Sequence, residues 1–183
     1  MSDDVYAEIS LQRGQSIFGL ATERGASEEE VLALRARRDA RYTELIDAGV
    51  KVLDGVEDCL EELHGRLPMA IVTSSQRVHF DAIHARPGLL RFFDAVLASG
   101  DYDRHKPHPE PFLAGAARLG IDPKACVAIE DSPRGLAAAV AAGMRCWAIP
   151  TALTRGGDFS PADAVLESAG EIPGQWSEFR PPG

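Results

Sequence analysis

No run in this chain of 183 residues is apolar over a length that would cross a membrane. Basic residues are in the minority: 19 Lys and Arg stand against 28 Asp and Glu, a formal net charge of −9. That argues against a nucleic-acid binder, which would show a basic patch or stripe. Cysteine is scarce, and its three residues, Cys59, Cys126 and Cys146, are odd in number and match no zinc spacing. They read as reduced residues of a cytoplasmic protein, which excludes a disulfide framework. The five histidines form no ligand cluster, although His105 and His108 flank Lys106. The start, Met1-Ser2-Asp3-Asp4, is acidic and holds no signal-peptide core. No internal repeat is visible. What is present, 45% hydrophobic and 26% charged residues, suffices for one medium domain or a core with a small insert.

The chain divides by pattern. Residues 1–50 read as entirely helical. Asp4 to Leu11 and Gln15 to Arg24 each predict a short helix. Ser27 to Glu30 is a capping box: Ser27 caps, and Glu30 reaches back. The helix it opens runs toward Ala48, with Val31, Leu34, Tyr42, Leu45 and Ile46 on an apolar side, and Gly49 stops it. From residue 51 to 170, helices and strands alternate. Strands are expected at 69–72, 95–98, 126–130 and 145–149, with a short one near 163–166. Strands alternating with helices imply right-handed crossover units and a parallel sheet. The helical block has no strand partner and reads as a partial cap over the core. Residues 171–183 are polar and rich in Pro and Gly, and are expected to fray.

The organising stretch is Cys126 to Gly135. A short apolar run ends in Glu130 and Asp131, then turns into a helix at Ser132-Pro133. Such a run suits a strand buried on both faces. In open α/β sheets, ligands lie at the carboxyl ends of strands. Two adjacent carboxylates there repel one another unless a cation lies nearby, and Mg²⁺ is the natural hard cation. Read alone, Glu-Asp-Ser favours the plainer reading, in which Asp131 and Ser132 simply cap the following helix.

Two further strand ends carry Thr73-Ser74 and Lys106. A hydroxyl pair, an ammonium and two carboxylates together make a phosphate site. Thr73 Oγ1 and nearby N–H groups can donate to phosphoryl oxygens. Lys106 supplies charge against them, and Glu130 and Asp131 can hold Mg²⁺. Thr73 as a mere helix cap and Lys106 as a solvated loop charge are the bland alternatives. Pro107 stiffens the loop, which a solvated lysine does not need.

Thr73-Ser74-Ser75, Lys106-Pro107-His108-Pro109-Glu110, and Ile129 to Gly135 with Gly143-Met144 resemble the second, third and fourth motifs of the haloacid dehalogenase-like superfamily. The resemblance covers residues 5–168 and is closest to the branch with a helical cap, the β-phosphoglucomutase-like and phosphoglycolate-phosphatase-like enzymes. It implies a Rossmann-like parallel core and Mg²⁺-dependent phosphoryl transfer on a small phosphorylated metabolite. By this resemblance Thr73 and Ser74 contact phosphate and Lys106 balances the charge of nucleophile and phosphate. Asp131 with Glu130 serves Mg²⁺, and Asp101 assists from the loop. Arg13, in Leu11 to Ser16, resembles a substrate-touching cap segment. It reads equally as an exposed arginine at a helix end.

Family members begin with a strand ending in Asp-x-Asp-Gly-Thr, whose first Asp attacks phosphorus. This sequence contains no such stretch; Asp101-Tyr102-Asp103 has the spacing but lies in the Lys106 loop. The resemblance therefore implies that the central first strand is missing, from between residues 69–73 and 126–130. The expectation is a phosphatase or phosphomutase that is N-terminally truncated or inactive as given. The alternative is a non-catalytic binder of phosphorylated ligands or of a partner. A receiver-like signalling domain fits least, because it carries acids after its first strand. The open sheet edges create the expectation of self-association.

Overall fold

The computed structural model describes residues 3–12, 16–85 and 88–179. Its helical start is α1 (Asp3–Tyr6), continued by a π-helical segment over Ala7–Gln12, then α2 (Phe18–Glu23) and α3 (Glu28–Asp47). The capping box at the head of α3 is formed: Glu30 N–H donates to Ser27 Oγ at 3.2 Å, and Ser27 N–H donates to Glu30 Oε2 at 2.8 Å. The expected apolar side of α3 finds little to pack on. Ile46 is its one buried residue among those described, while Leu34 and Leu45 are exposed. Tyr42 meets the core edge-on at His79, with ring centroids 4.9 Å apart.

The core consists of α4 (Val56–Leu63), β1 (Ala70–Gln76), α5 (Arg77–His84), β2 (Ala95–Ser99), α6 (Glu110–Leu119), β3 (Val127–Glu130), α7 (Pro133–Ala141), β4 (Arg145–Ala148), β5 (Ala164–Val165) and α8 (Ile172–Glu178). All strand pairs are parallel, as the helix–strand alternation predicts. They form two sheets, β1–β2 and β3–β4–β5, with no ladder between them. The boundary falls between β1 and β3, where the resemblance implies the absent strand. The two strands have not closed up into a direct pair.

Period two along β3 and β4 sends side chains to two cores. Ala128, Cys146 and Ala148 pack with Phe112, Ala116, Leu136, Ala138 and Ala139 of α6 and α7. The Ala-rich face of α7 permits close approach. On the opposite side, Trp147 and Leu166 pack with Cys59 and Leu63 of α4. Helix α6 comes down close on β1: a Cβ at Gly115 would lie 2.7 Å from Val72 Cγ2.

The end of the chain differs from expectation. Of residues 171–179, Ile172–Glu178 form α8, and Ile172 and Phe179 are buried. Trp176 and Phe179 both sit edge-on to Trp147, with centroids 6.1 and 6.2 Å away. Aromatic burial outweighs the Pro and Gly composition, since one buried aromatic side chain contributes about 1.5–3 kcal/mol.

Candidate phosphate site

Three segments converge at the carboxyl ends of β1 and β3. Lys106 comes from the loop after β2, with a cis peptide to Pro107. Its ammonium donates to the Val72 carbonyl of β1 at 3.1 Å and to Glu130 Oε1 of β3 at close range. It also lies 4.4 Å from the centroid of the Phe112 ring, a cation–π contact. The lysine therefore bridges the boundary between the two sheets and is not a solvated surface charge. Only 10% of its side chain and 6% of that of Glu130 remain accessible.

Glu130 lies on the strand face that points into the α6–α7 layer. Besides Lys106, it accepts from Ser132 Oγ at 3.2 Å. Ser132 in turn caps α7 by accepting from Gly135 N–H at 3.1 Å. The carboxylate rests on the bare Cα of Gly135, where a Cβ would fall 1.9 Å from Glu130 Oε2. Glycine is required here for space. Ser132 and Gly135 thus belong to the site, and the Ser-x-x-Gly spacing after the two acids is their sequence signal.

Asp131, the next residue, has exposed surface, but its carboxyl is crowded by the surrounding strand ends. Loss of solvation, and secondarily the charge of Glu130, pushes its carboxyl above the ordinary range; Lys106 opposes the shift. Thr73 and Ser74 lie where β1 departs from its ladder with β2. Thr73 Oγ1 accepts from Ser75 N–H at 3.1 Å, a local turn that exposes Ser74.

The structure thus brings the end of β1, Lys106, Glu130 and Asp131 to one sheet edge. Arg13 lies outside the described residues. Asp101 does not join the group: it accepts from Ala98 N–H at 2.8 Å and pairs with Arg77 at 2.5 Å. The Ala98 N–H above all, and Arg77 as well, hold its carboxyl below the usual range. An acid at the start of a loop, next to an open backbone donor, turns back onto that donor.

The donor set fits a Mg²⁺ ion in part. Asp131 offers an oxygen from a carboxylate destabilised by its neighbour, and Mg²⁺ takes one or two carboxylates with water and phosphate oxygens. Glu130 as placed is committed to Lys106 and Ser132, so the paired-ligand expectation does not hold for this arrangement. Among the described residues no group of three His, Cys, Asp or Glu could hold a metal.

Parallel strands joined by helices, with a buried lysine and an acid pair gathered at the strand ends, define an α/β protein whose polar groups converge on one sheet edge. The chain belongs to the haloacid dehalogenase-like hydrolases, whose family model matches residues 6–143. Its relatives place it in subfamily I of that superfamily. It is 37% identical over 145 residues to the protein CbbY of Rhodobacter capsulatus, covering 76% of this chain and 63% of that one. It is 44% identical over 98 residues to the fructose-1-phosphate phosphatase YqaB of Escherichia coli, covering 51% of this chain and 52% of that one. The crystal structure of CbbY from Rhodobacter sphaeroides in complex with phosphate matches with a TM-score of 0.68 at 28% identity, over 78% of this chain and 65% of that one. The chain thus spans half to two thirds of the length of these relatives. No described helix is long and apolar enough to cross a membrane.

Proposed function

We propose that the site at the ends of β1 and β3 binds the phosphoryl group of a small phosphorylated metabolite, and that it is the site of Mg²⁺-dependent phosphoryl transfer, by a phosphatase or phosphomutase. The observation that carries this reading is the buried Lys106 ammonium, which a solvated loop lysine would not show, fixed between Val72 O and Glu130. Thr73 and Ser74 donate to phosphoryl oxygens, and Lys106 offsets their charge. Asp131 holds Mg²⁺, which when bound polarises the phosphoryl group. By the resemblance of its segment, Leu11 to Ser16, Arg13 is assigned to substrate contact. The relative YqaB, a fructose-1-phosphate phosphatase, supports the substrate class, and the three unpaired cysteines support a cytoplasmic location.

Catalysis by residues 1–183 alone is a separate matter. Asp101 is committed to Arg77, and the sequence holds no Asp-x-Asp-Gly-Thr stretch. That favours the second reading for this chain by itself: it binds phosphate without turnover. Inorganic phosphate titrated calorimetrically in the presence of Mg²⁺ is expected to bind weakly, and Thr73→Val to abolish the binding. Turnover of an aryl phosphate is expected to be negligible. Brisk turnover lost in Asp101→Asn would make the loop acids the nucleophile pair and overturn this reading. Absence of phosphate binding would overturn the site itself.

We further propose that the facing edges of β1 and β3 take up an added strand, from a second copy when no other is supplied. Unpaired edges template such pairing. Sedimentation at rising concentration is expected to show self-association, with amide protection of β1 and β3 rising in step. A strictly monomeric chain with concentration-independent protection would refute this.

A further inference from the structure

Strand β1 does not run evenly beside β2. Ala70, Ile71 and Val72 pair with Ala95, Val96 and Leu97, and pairing resumes only at Gln76 with Ser99. In between, Thr73, Ser74 and Ser75 lie opposite the single residue Ala98. Backbone groups in such an excursion lose their ladder partners and must find others. Ser75 N–H finds Thr73 Oγ1, and Ala98 N–H finds Asp101. The Thr73 carbonyl accepts from Tyr102 Oη at 2.7 Å.

Tyr102 is 8% exposed, and its ring stands edge-on to His105, the neighbour of Lys106, at 5.5 Å. Two successive carbonyls of β1, Val72 and Thr73, are therefore held by two side chains of one loop, Lys106 and Tyr102. An apolar residue would fill the space of Tyr102 but leave the Thr73 carbonyl without this donor. The hydroxyl is what ties the excursion to the loop.

We propose that Tyr102 is the positioning residue of the phosphate-binding turn, fixing the Thr73 carbonyl and with it the direction of Thr73 Oγ1 and the Ser74 peptide. The proposal rests on the phosphate site proposed above. It assigns to the tyrosine of Asp101-Tyr102-Asp103 a role that the spacing of the two acids conceals.

The test uses the full chain and three proteins: wild type, Tyr102→Phe, and Leu166→Ala as a destabilised control whose side chain packs in the opposite core, with Trp147 and Cys59. Inorganic phosphate affinity is measured calorimetrically, and amide exchange of residues 73–76 by mass spectrometry without phosphate. For Tyr102→Phe, phosphate is expected to bind about five- to tenfold more weakly, the equivalent of one hydrogen bond. Exchange of residues 73–76 is expected to quicken by a similar factor while that of β3 and β4 is unchanged. Leu166→Ala is expected to leave both readouts at the wild-type level. Unchanged exchange in Tyr102→Phe, or a loss of affinity no larger than in the control, overturns the proposal. If the wild type binds no phosphate, the site reading fails, and the positioning of the turn then stands or falls on the exchange data alone.

Discussion

The Lys106 ammonium lies against the Glu130 carboxylate with both side chains nearly withdrawn from water, 10% and 6% accessible. A buried pair is weak evidence of net stabilisation, but breaking one is costly, because the survivor is left charged and unpaired. Lys106→Met is therefore expected to lower stability by about 3–5 kcal/mol, and the double variant with Glu130→Gln to recover most of that loss. Urea denaturation of the single and double variants checks it. A double variant as unstable as Lys106→Met would show that the charge on Glu130 is not the source of the cost.

Gly135→Ala places a methyl group where the Glu130 carboxylate now lies. The carboxylate must move, and Lys106 and Ser132 with it. The expected cost is about 1–3 kcal/mol, seen as a fall in the denaturation midpoint at unchanged slope. Phosphate affinity should fall as well, since the lysine is displaced.

Asp131 has a carboxyl raised above the ordinary range, first by desolvation and then by Glu130. Ionising it costs the folded state more than the unfolded one. Well below the ordinary carboxylate pKa both states hold the proton, and Asp131 makes no difference. As pH rises through that value to the raised folded one, stability falls, and it stays lowered above. Asp131→Asn is expected to remove this decline. Added Mg²⁺ is expected to raise the melting temperature of the wild type near neutral pH and not that of the variant. Thermal melts across about pH 3 to 7, with and without Mg²⁺, make the comparison. A decline of equal size in the variant would assign it to another group.

Cys146 has no accessible surface, and burial, helped by Glu130 and Asp163, pushes its thiol up to about 12. It should resist aromatic disulfide reagents at about pH 8 until the chain unfolds. Half-buried Cys126 should react first. Mass spectrometry of the labelled peptides reads the order, and early labelling of Cys146 would mean that the layer beneath β4 opens in the native state.

The elements most legible in the sequence are those set by local rules. The Ser27–Glu30 capping box, the glycine stop at Gly49, and the apolar runs of β3 and β4 each carry their own signal. The boundary between β1 and β3 was legible through the resemblance alone, because no residue announces the strand that would lie there. Side-chain direction was less accessible. Glu130 and Asp131 are adjacent, so the pleat sends them apart: one turns inward to Lys106, while the other remains exposed. Asp101 looked available but was claimed by a nearby N–H and by Arg77, which lies 24 residues earlier in the chain. Helix α8 was hidden by its Pro and Gly, since the case for it rests on Trp147, a partner distant in sequence.

The division into two sheets also bears on how the molecule comes into being. Strands β1 and β2 lie within residues 70–99, and β3 to β5 within 127–165. Each sheet is drawn from one uninterrupted stretch, and no ladder waits for residues of the other. During synthesis the first sheet can assemble while the second is still inside the ribosome. Lys106, whose side chain spans the two halves, finds both of its partners, Val72 O and Glu130, only when residues from each half are present.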